Sequence, residues 1–262
     1  MKFGACVGLD EEKILTMKEL GFDYFETHLG DLAALSDRDF SDFTEKVETI
    51  GLPCEASNCF IPSDYPLVGE ARDYKKIDKY VLHALDRAHK IGIKVSVFGS
   101  SAARKIPQGV SEDKAFEQIV FFLADIVSPI AESFGIEIAI EPLNKKECAW
   151  INSLEFANRI SQAADKDNIK ILADLYHMHA EGENVSEIIR LGNKVVHAHI
   201  ANPVGRLYPS ETDGFDYIPF LKALNGAAVS RCSIEASNKD FPIEAGGALG
   251  ILRRGQEELT VF

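Results

Sequence analysis

With 262 residues, 46% of them apolar and 26% charged, the chain has the make-up of an ordinary globular protein and enough material for a sizeable core. A formal charge of -13 and a pI near 5.0 leave no surplus of cations to displace counterions from a phosphate backbone, so nucleic acid is not an expected partner. Cys6, Cys54, Cys59, Cys148 and Cys232 are scattered with no CxxC pair, and no apolar run is long enough for a signal peptide or a membrane span; the expectation is reduced thiols in a cytoplasmic protein with no membrane partner.

In chain order, KFGACVG (2–8) reads as a strand and EEKILTMKELG (11–21) as a helix closed by glycine. YFETHL (24–29) and PCEASNCF (53–60) are the next strands, followed by the helical YKKIDKYVLHALDRAHKIG (74–92) and the strand KVSVFGS (94–100). SEDKAFEQIVFFLADIVSPIAESFG (111–135) is helical with a kink expected at Pro129. EIAIEPLN (137–144), IKILADLYH (169–177), VVHAHIAN (195–202) and RCSIEAS (231–237) complete eight strands, with helical SLEFANRISQAAD (153–165) and YIPFLKALNG (217–226) between them. Strand–helix alternation implies a parallel α/β sheet, and eight units over the whole length predict a (β/α)8 TIM barrel, a single domain over residues 1–262.

Within these strands one parity is apolar and the other polar. Ile138 and Ile140 alternate with Glu137, Ala139 and Glu141; Val196, Ala198 and Ile200 alternate with His197 and His199; Cys232, Ile234 and Ala236 alternate with Arg231, Ser233 and Glu235. The apolar parity should meet the helices and the polar parity the barrel interior, which also turns Asp174 inward beside Leu172. Glu141, Asp174, His199 and Glu235 then sit at the C-terminal ends of four consecutive strands, where active sites of such barrels lie. Three carboxylates packed together repel one another unless a cation sits among them, so one divalent metal ion is expected. Oxygen donors with a single imidazole suit Mn2+ first, or Mg2+ or Co2+, rather than a structural zinc. The bland alternative is a set of strand-end charges capped by water or ion pairs, which four such groups on one rim make the lesser reading.

The motifs EPLNKKE (141–147), DLYHMH (174–179), HAHIANPVGR (197–206) and IEAS (234–237) resemble, in order and spacing, the xylose isomerase-like TIM barrel superfamily of sugar isomerases and epimerases, most closely its D-tagatose/D-psicose 3-epimerase and hydroxypyruvate isomerase branch. The resemblance implies that Glu141, Asp174, His199 and Glu235 hold the metal. It also implies that Glu141 and Glu235 move protons on opposite faces of the substrate, and that Glu147, His177 and Arg206 grip its oxygen-bearing end. The implied activity is proton transfer beside a carbonyl of a small ketose or hydroxy-keto acid through an enediolate, as in a ketose 3-epimerase or a hydroxypyruvate-type isomerase; relatives of this kind often form dimers or tetramers. The six residues between His199 and Arg206 look more like the hydroxypyruvate isomerase loop, and LYPSETDGFDY (207–217) replaces the glycine-rich continuation usual after that arginine.

An inosose-type dehydratase would use the same metal and acid–base pair. An endonuclease IV-like phosphodiesterase would need three clustered metals and further histidines on strands three and four and after strand seven, whereas here strand three ends SNCF, strand four ends VFGS, and the region after His199 offers Asp213 without a neighbouring histidine. Among the remaining polar residues, Glu26 and His28 are expected at the mouth of strand two, with Glu26 more readily paired with Arg231 or His197 as buried structure. His197 is expected as a satisfied interior histidine, and His83 and His89 as bystanders on a surface helix. Trp150, Phe60 and Tyr65 are candidates for an apolar wall against a sugar's carbon face.

Overall fold

The computed structural model describes residues 1–260. Eight parallel strands, β1 (Lys2–Ala5), β2 (Phe25–His28), β3 (Cys54–Asn58), β4 (Val95–Phe98), β5 (Glu137–Ile140), β6 (Ile169–Asp174), β7 (Val195–Ile200) and β8 (Arg231–Ile234), form one sheet. Its order runs β1-β8-β7-β6-β5-β4-β3-β2, and the last seam between β1 and β2 is closed by the single bridge Cys6–Glu26, where the Val7 N–H donates to the Glu26 carbonyl at 3.0 Å. The result is the expected TIM barrel. Every strand ends a few residues earlier than the apolar pattern suggests, so Glu141 and Glu235 stand just beyond β5 and β8 on the loops of the C-terminal mouth.

Two separate apolar regions hold the barrel. The larger lies between sheet and helices and takes Ile138, Ile140, Ile171, Ala173, Ala198, Ile200, Cys232 and Ile234, the outward parity read from the sequence. The smaller fills the barrel axis with Val95, Val97, Ala139 and Leu172. Val196 departs from its expected outward position and packs against this inner cluster. The cause is a bulge: Ile171 pairs with Val195 but Leu172 with His197, leaving Val196 as the extra residue. A matching shift in β2–β3 pairs Phe25 with Cys54 and Glu26 with Ala56, so Glu55 is the extra residue there.

The helices begin and end on the signals that polar caps and glycine provide. Asp10, Asp73, Ser111 and Ser153 each accept a hydrogen bond from a first-turn N–H, and Gly92 closes Tyr74–Ile91 in the left-handed conformation at φ 101°. Buried Arg87, on that helix, donates to the Leu32 and Leu35 carbonyls at 2.9 and 2.6 Å, satisfying the open end of the short helix Leu29–Ala34. The break expected at Pro129 takes the form of a π-helical stretch, Phe122–Val127, between Glu112–Phe121 and Ser128–Ser133, which widens the ladder just before the residue that lacks an N–H. The closing helix Phe241–Thr260 was not part of the sequence expectation. No helix among the described residues is long and apolar enough to cross a membrane.

Candidate metal centre and substrate pocket

β6 delivers the first component of the site. Asp174 is at once the last strand residue and the N-cap of helix Leu175–Glu181; its Oδ1 accepts from the Tyr176 N–H at 2.7 Å and more distantly from His177 N–H at 3.4 Å, and its Oδ2 is left for the barrel mouth. The helical turn that follows lifts His177 over the mouth, so His177 lies on a helix rather than on the expected extension of the strand.

Ligand atoms of Glu141, Asp174, His199 and Glu235 all fall within 4.8 Å of one another, which brings the four candidate metal ligands into one cluster. His199 Nδ1 is 3.3 Å from Glu141 Oε1 and 3.1 Å from Glu235 Oε2. On its other side, Nε2 lies 3.0 Å from Glu26 Oε1, while Glu26 Oε2 meets His197 Nε2 at 2.8 Å. An ionised Glu26 can only accept, so His199 donates to it from Nε2, and when the ring is neutral its Nδ1 lone pair faces the three carboxylates. Three anions and a lone pair facing one another fit a cation and little else.

The electrostatics point the same way. Burial, with the charge of Glu235 adding to it, pushes the pKa values of Glu141 and Asp174 up. Burial acts likewise on Glu235, but His199 and Arg206 outweigh it and hold that carboxyl down at about 2. Burial opposes a charged His199, yet Glu26 and Glu235 outweigh it and raise its pKa, so that in the absence of a cation a proton takes up part of the negative charge. Burial also lowers His177, favouring the neutral ring.

The three residues expected to grip substrate stand around this cluster. Arg206 Nη2 bonds Glu235 Oε2 and lies 3.5 Å from Asp174 Oδ2, Nη1 lies 3.5 Å from Glu147 Oε2, and the guanidinium rests 4.8 Å above the Tyr176 ring. Its backbone is left-handed at φ 52°, directly after Gly205 at 87°, and the tight return of the chain, with the Asn202 N–H donating to the Leu207 carbonyl at 2.8 Å, aims the side chain back over the mouth. His177 Nε2 is 3.6 Å from Asp174 Oδ2 and 3.9 Å from Glu141 Oε1. Glu141, Glu147, His177, Arg206, Glu235 and Asn58 share the wall of one cavity of about 950 Å3.

Several residues have places that the sequence did not disclose. Asn58, at the end of β3, donates from Nδ2 to Glu235 Oε1 at 2.9 Å. Gly99 leaves room for a carboxylate: a Cβ there would sit 2.2 Å from Glu141 Oε2. A side chain at 99 would displace Glu141 itself. Glu26 pairs with His197 as expected, but its second oxygen holds His199, and Arg231 instead donates to Glu55 at 2.7 Å. The cross-strand position of Glu26 relative to His199 had no signal in the sequence.

Other expectations need correction. Phe60 and Trp150 are core residues: Phe60 is fully buried, and Trp150 donates from Nε1 to the Arg104 carbonyl at 2.7 Å away from the main cavity. Of the proposed apolar wall only Tyr65 lines the cavity. His28 does not line it but pairs at 3.1 Å with Asp31, which does, and His83, expected as a bystander, also lines it with Nε2 3.0 Å from the Ala33 carbonyl.

Comparison with known proteins adds the family. The model of the xylose isomerase-like TIM barrel family matches residues 14–255. Inosose isomerase of Bacillus velezensis is 25% identical over 197 residues, covering 71% of this chain and 66% of that protein, just under two thirds of its length. 3-Dehydro-D-guloside 4-epimerase of Escherichia coli K12 is 25% identical over 198 residues, 73% of each chain. Among solved structures, D-psicose 3-epimerase from Clostridium cellulolyticum H10, crystallised with D-tagatose, superposes with a TM-score of 0.86 at 19% identity, covering 97% of this chain and 99% of that one. The IolI protein with a bound zinc atom gives 0.70 at 21% identity, covering 98% and 97%. At those identities the superpositions establish the fold, while the match over nearly the whole chain establishes the kinship: the protein belongs to the xylose isomerase-like TIM barrel family, in which its named relatives are isomerases and epimerases.

Proposed function

We propose that this protein is a metal-dependent sugar isomerase or epimerase that moves a proton on the carbon next to the carbonyl of a small polyhydroxy ketone or hydroxy-keto acid. The observation that carries the reading is the convergence of Glu141, Asp174, His199 and Glu235 within 4.8 Å at the floor of a cavity also lined by Glu147, His177 and Arg206. The named relatives act on inosose, a 3-dehydro-guloside and psicose, all polyhydroxy ketones, which supports that substrate class.

In this reading Glu141, Asp174, His199 and Glu235 hold one divalent ion, with Mn2+ the first choice for a set of three oxygens and one nitrogen. When bound, the ion supplies Lewis-acid stabilisation of negative charge developing on the substrate's oxygens. The chain's own residues do the rest. Glu141 and Glu235 stand as a pair of carboxylates, one to accept a proton from carbon and the other to return it. Arg206, Glu147 and His177 orient the oxygen-bearing end so that the reacting carbon lies between the two carboxyls. The five free thiols suit a reducing compartment such as the cytoplasm.

The test is incubation of purified protein with Mn2+ and a panel of free ketoses, inososes and keto-glycosides in D2O. Deuterium appearing by NMR at the carbon beside the carbonyl of at least one of them is expected. A panel returned without deuterium removes the proposal, and loss of water from an inosose, seen by mass spectrometry, replaces it with dehydration on the same residues.

A further inference from the structure

In EPLNKKE the acids at both ends have been given roles, while Asn144 between them has not. Its backbone N–H lies 3.1 Å from His177 Nδ1, and its side-chain Nδ2 lies 2.9 Å from the same atom. A backbone N–H can only donate. Nδ1 must therefore present its lone pair, and in a neutral imidazole the proton then belongs on Nε2.

The amide of Asn144 is itself held in one orientation. Its Oδ1 accepts from the backbone N–H groups of Lys146 and Glu147 at 3.0 and 3.2 Å, a local turn that leaves Nδ2 facing Glu147 Oε1 at 2.9 Å as well as the imidazole. The other oxygen of Glu147 is 3.5 Å from Arg206 Nη1. One side chain thus ties together Glu147, His177 and, through Glu147, Arg206.

At the far end of the ring, Nε2 has no hydrogen-bond partner among the described residues although His177 is buried, its exposure being 3%. The nearest oxygens, Asp174 Oδ2 at 3.6 Å and Glu141 Oε1 at 3.9 Å, are too distant to accept from it. A buried N–H without an acceptor is costly, and in native proteins such a group is met by a ligand or water. Here it borders the cavity beside the carboxylate cluster.

We propose that Asn144 is a positioning residue that fixes His177 as a neutral donor with its proton on Nε2, aimed at an oxygen of the substrate. The part of this that names a substrate oxygen rests on the function proposed above; the protonation site does not. A neutral donor at that point donates to a carbonyl or hydroxyl oxygen and excludes ligands that offer only N–H or apolar groups there, since either would leave Nε2 unpaired. The polarity of the contact is thereby set from a residue that touches no substrate.

The experiment is long-range 15N–1H NMR on protein labelled with 15N-histidine, metal-free and loaded with diamagnetic Mg2+, with the His177 signals assigned by their loss in His177→Gln. The expected spectrum has His177 protonated on Nε2 and bare on Nδ1 in both states. In Asn144→Asp a charged oxygen replaces the Nδ2 that lies 2.9 Å from Nδ1 and outweighs the one neutral backbone N–H that remains at 3.1 Å, so the proton is expected to move to Nδ1. Where a turned-over ketose has been found, kcat of that variant falls by about 10–100-fold with KM changed far less, since the contact is lost mainly at the reacting geometry. Asn144→Ala, which keeps the backbone donor, retains the wild-type tautomer. A wild-type His177 carrying its proton on Nδ1 overturns the proposal, and so does Asn144→Asp with an unchanged tautomer. Because the wild-type spectrum, once assigned with His177→Gln, needs no substrate, a chain that shows Nε2 protonation but exchanges no deuterium into any sugar keeps this inference and loses the proposed activity.

Discussion

The two ends of the barrel both carry charges, and they use them in opposite ways. At the N-terminal end Glu55 receives Arg231 Nε at 2.7 Å and Lys2 Nζ, one acid between two bases. Higher in the barrel Tyr24 and Ser233 share a hydrogen bond of 2.8 Å, with the Tyr24 ring filling the space over Gly4. At the C-terminal end Glu141, Asp174 and Glu235 face two histidines and one arginine, which Glu147 also shares, an excess of acid over permanent positive charge. The lower end meets its acid with more than enough positive charge, whereas the upper end is left short of it. A fold that can pair its charges at one rim and leaves them unpaired at the other is holding the second rim for something that arrives from outside.

The largest effect that tests this contrast is expected from Glu141→Gln. Its activity in the D2O assay should drop by about 10²–10⁴-fold through loss of a proton carrier, and more if the metal is lost with it. The metal-free variant, by contrast, should melt higher than the parent at pH 8. The sign follows from the raised pKa: the native state favours the protonated form, so native stability declines as pH rises above the ordinary carboxyl range, and an uncharged amide removes that decline. A lower melting temperature at pH 8 in the metal-free variant would show that the mouth is a balanced ion-pair network. Next in size is Gly99→Ala, whose methyl meets Glu141 Oε2; a displaced carboxylate should cost about 10²-fold in kcat, and isosteric Gln in place of Glu141 should leave the clash as it is. Glu26→Gln should follow, weakening metal affinity by about 10–100-fold in a calorimetric titration, because the support behind His199 Nε2 is lost while all four proposed ligands remain.

The barrel and its mouth were readable because both depend on local patterns. Period-two alternation placed Ala139 and Leu172 on the axis and Ile138 and Ile171 outside, and the same parity gathered the acids and His199. What stayed hidden depends on pairs far apart in the chain or on departures from the period. Glu26 meets His199 across 173 positions, and nothing near either residue announces it. The bulges at Val196 and Glu55 break the alternation by one residue each. Phe241–Thr260 carries Gly246, Gly247, Gly250 and Gly255, which dilute a helical pattern; two of them have packing reasons, since a Cβ would lie 2.7 Å from Leu221 at Gly255 and 3.2 Å from Leu20 at Gly246. Asn144 went unread because its side chain acts on a turn of its own making and on a helix 33 residues later.

The smallest effect belongs to the lower rim. Arg231→Met removes one of the two bases beside Glu55 and leaves Lys2, so native stability at pH 7 should fall by only about 1 kcal/mol, the order of a partly exposed pair. Burial pushes the Glu55 carboxyl up, but its bonds to Lys2 and Arg231 outweigh that and hold its pKa below the ordinary value. A depressed carboxyl stabilises the native state above its unfolded pKa, near pH ~4, and that contribution fades as pH falls through the native value. Urea midpoints of parent and variant should therefore differ at pH 7 and converge toward pH 3, while deuterium incorporation into substrate at pH 7 is unchanged because no atom of the pair reaches the upper cavity. If incorporation dropped along with stability, the two rims would be coupled through the axis of Val95, Val97, Ala139 and Leu172, and the division between an end whose acid is met and an end short of cations would no longer describe how the barrel works.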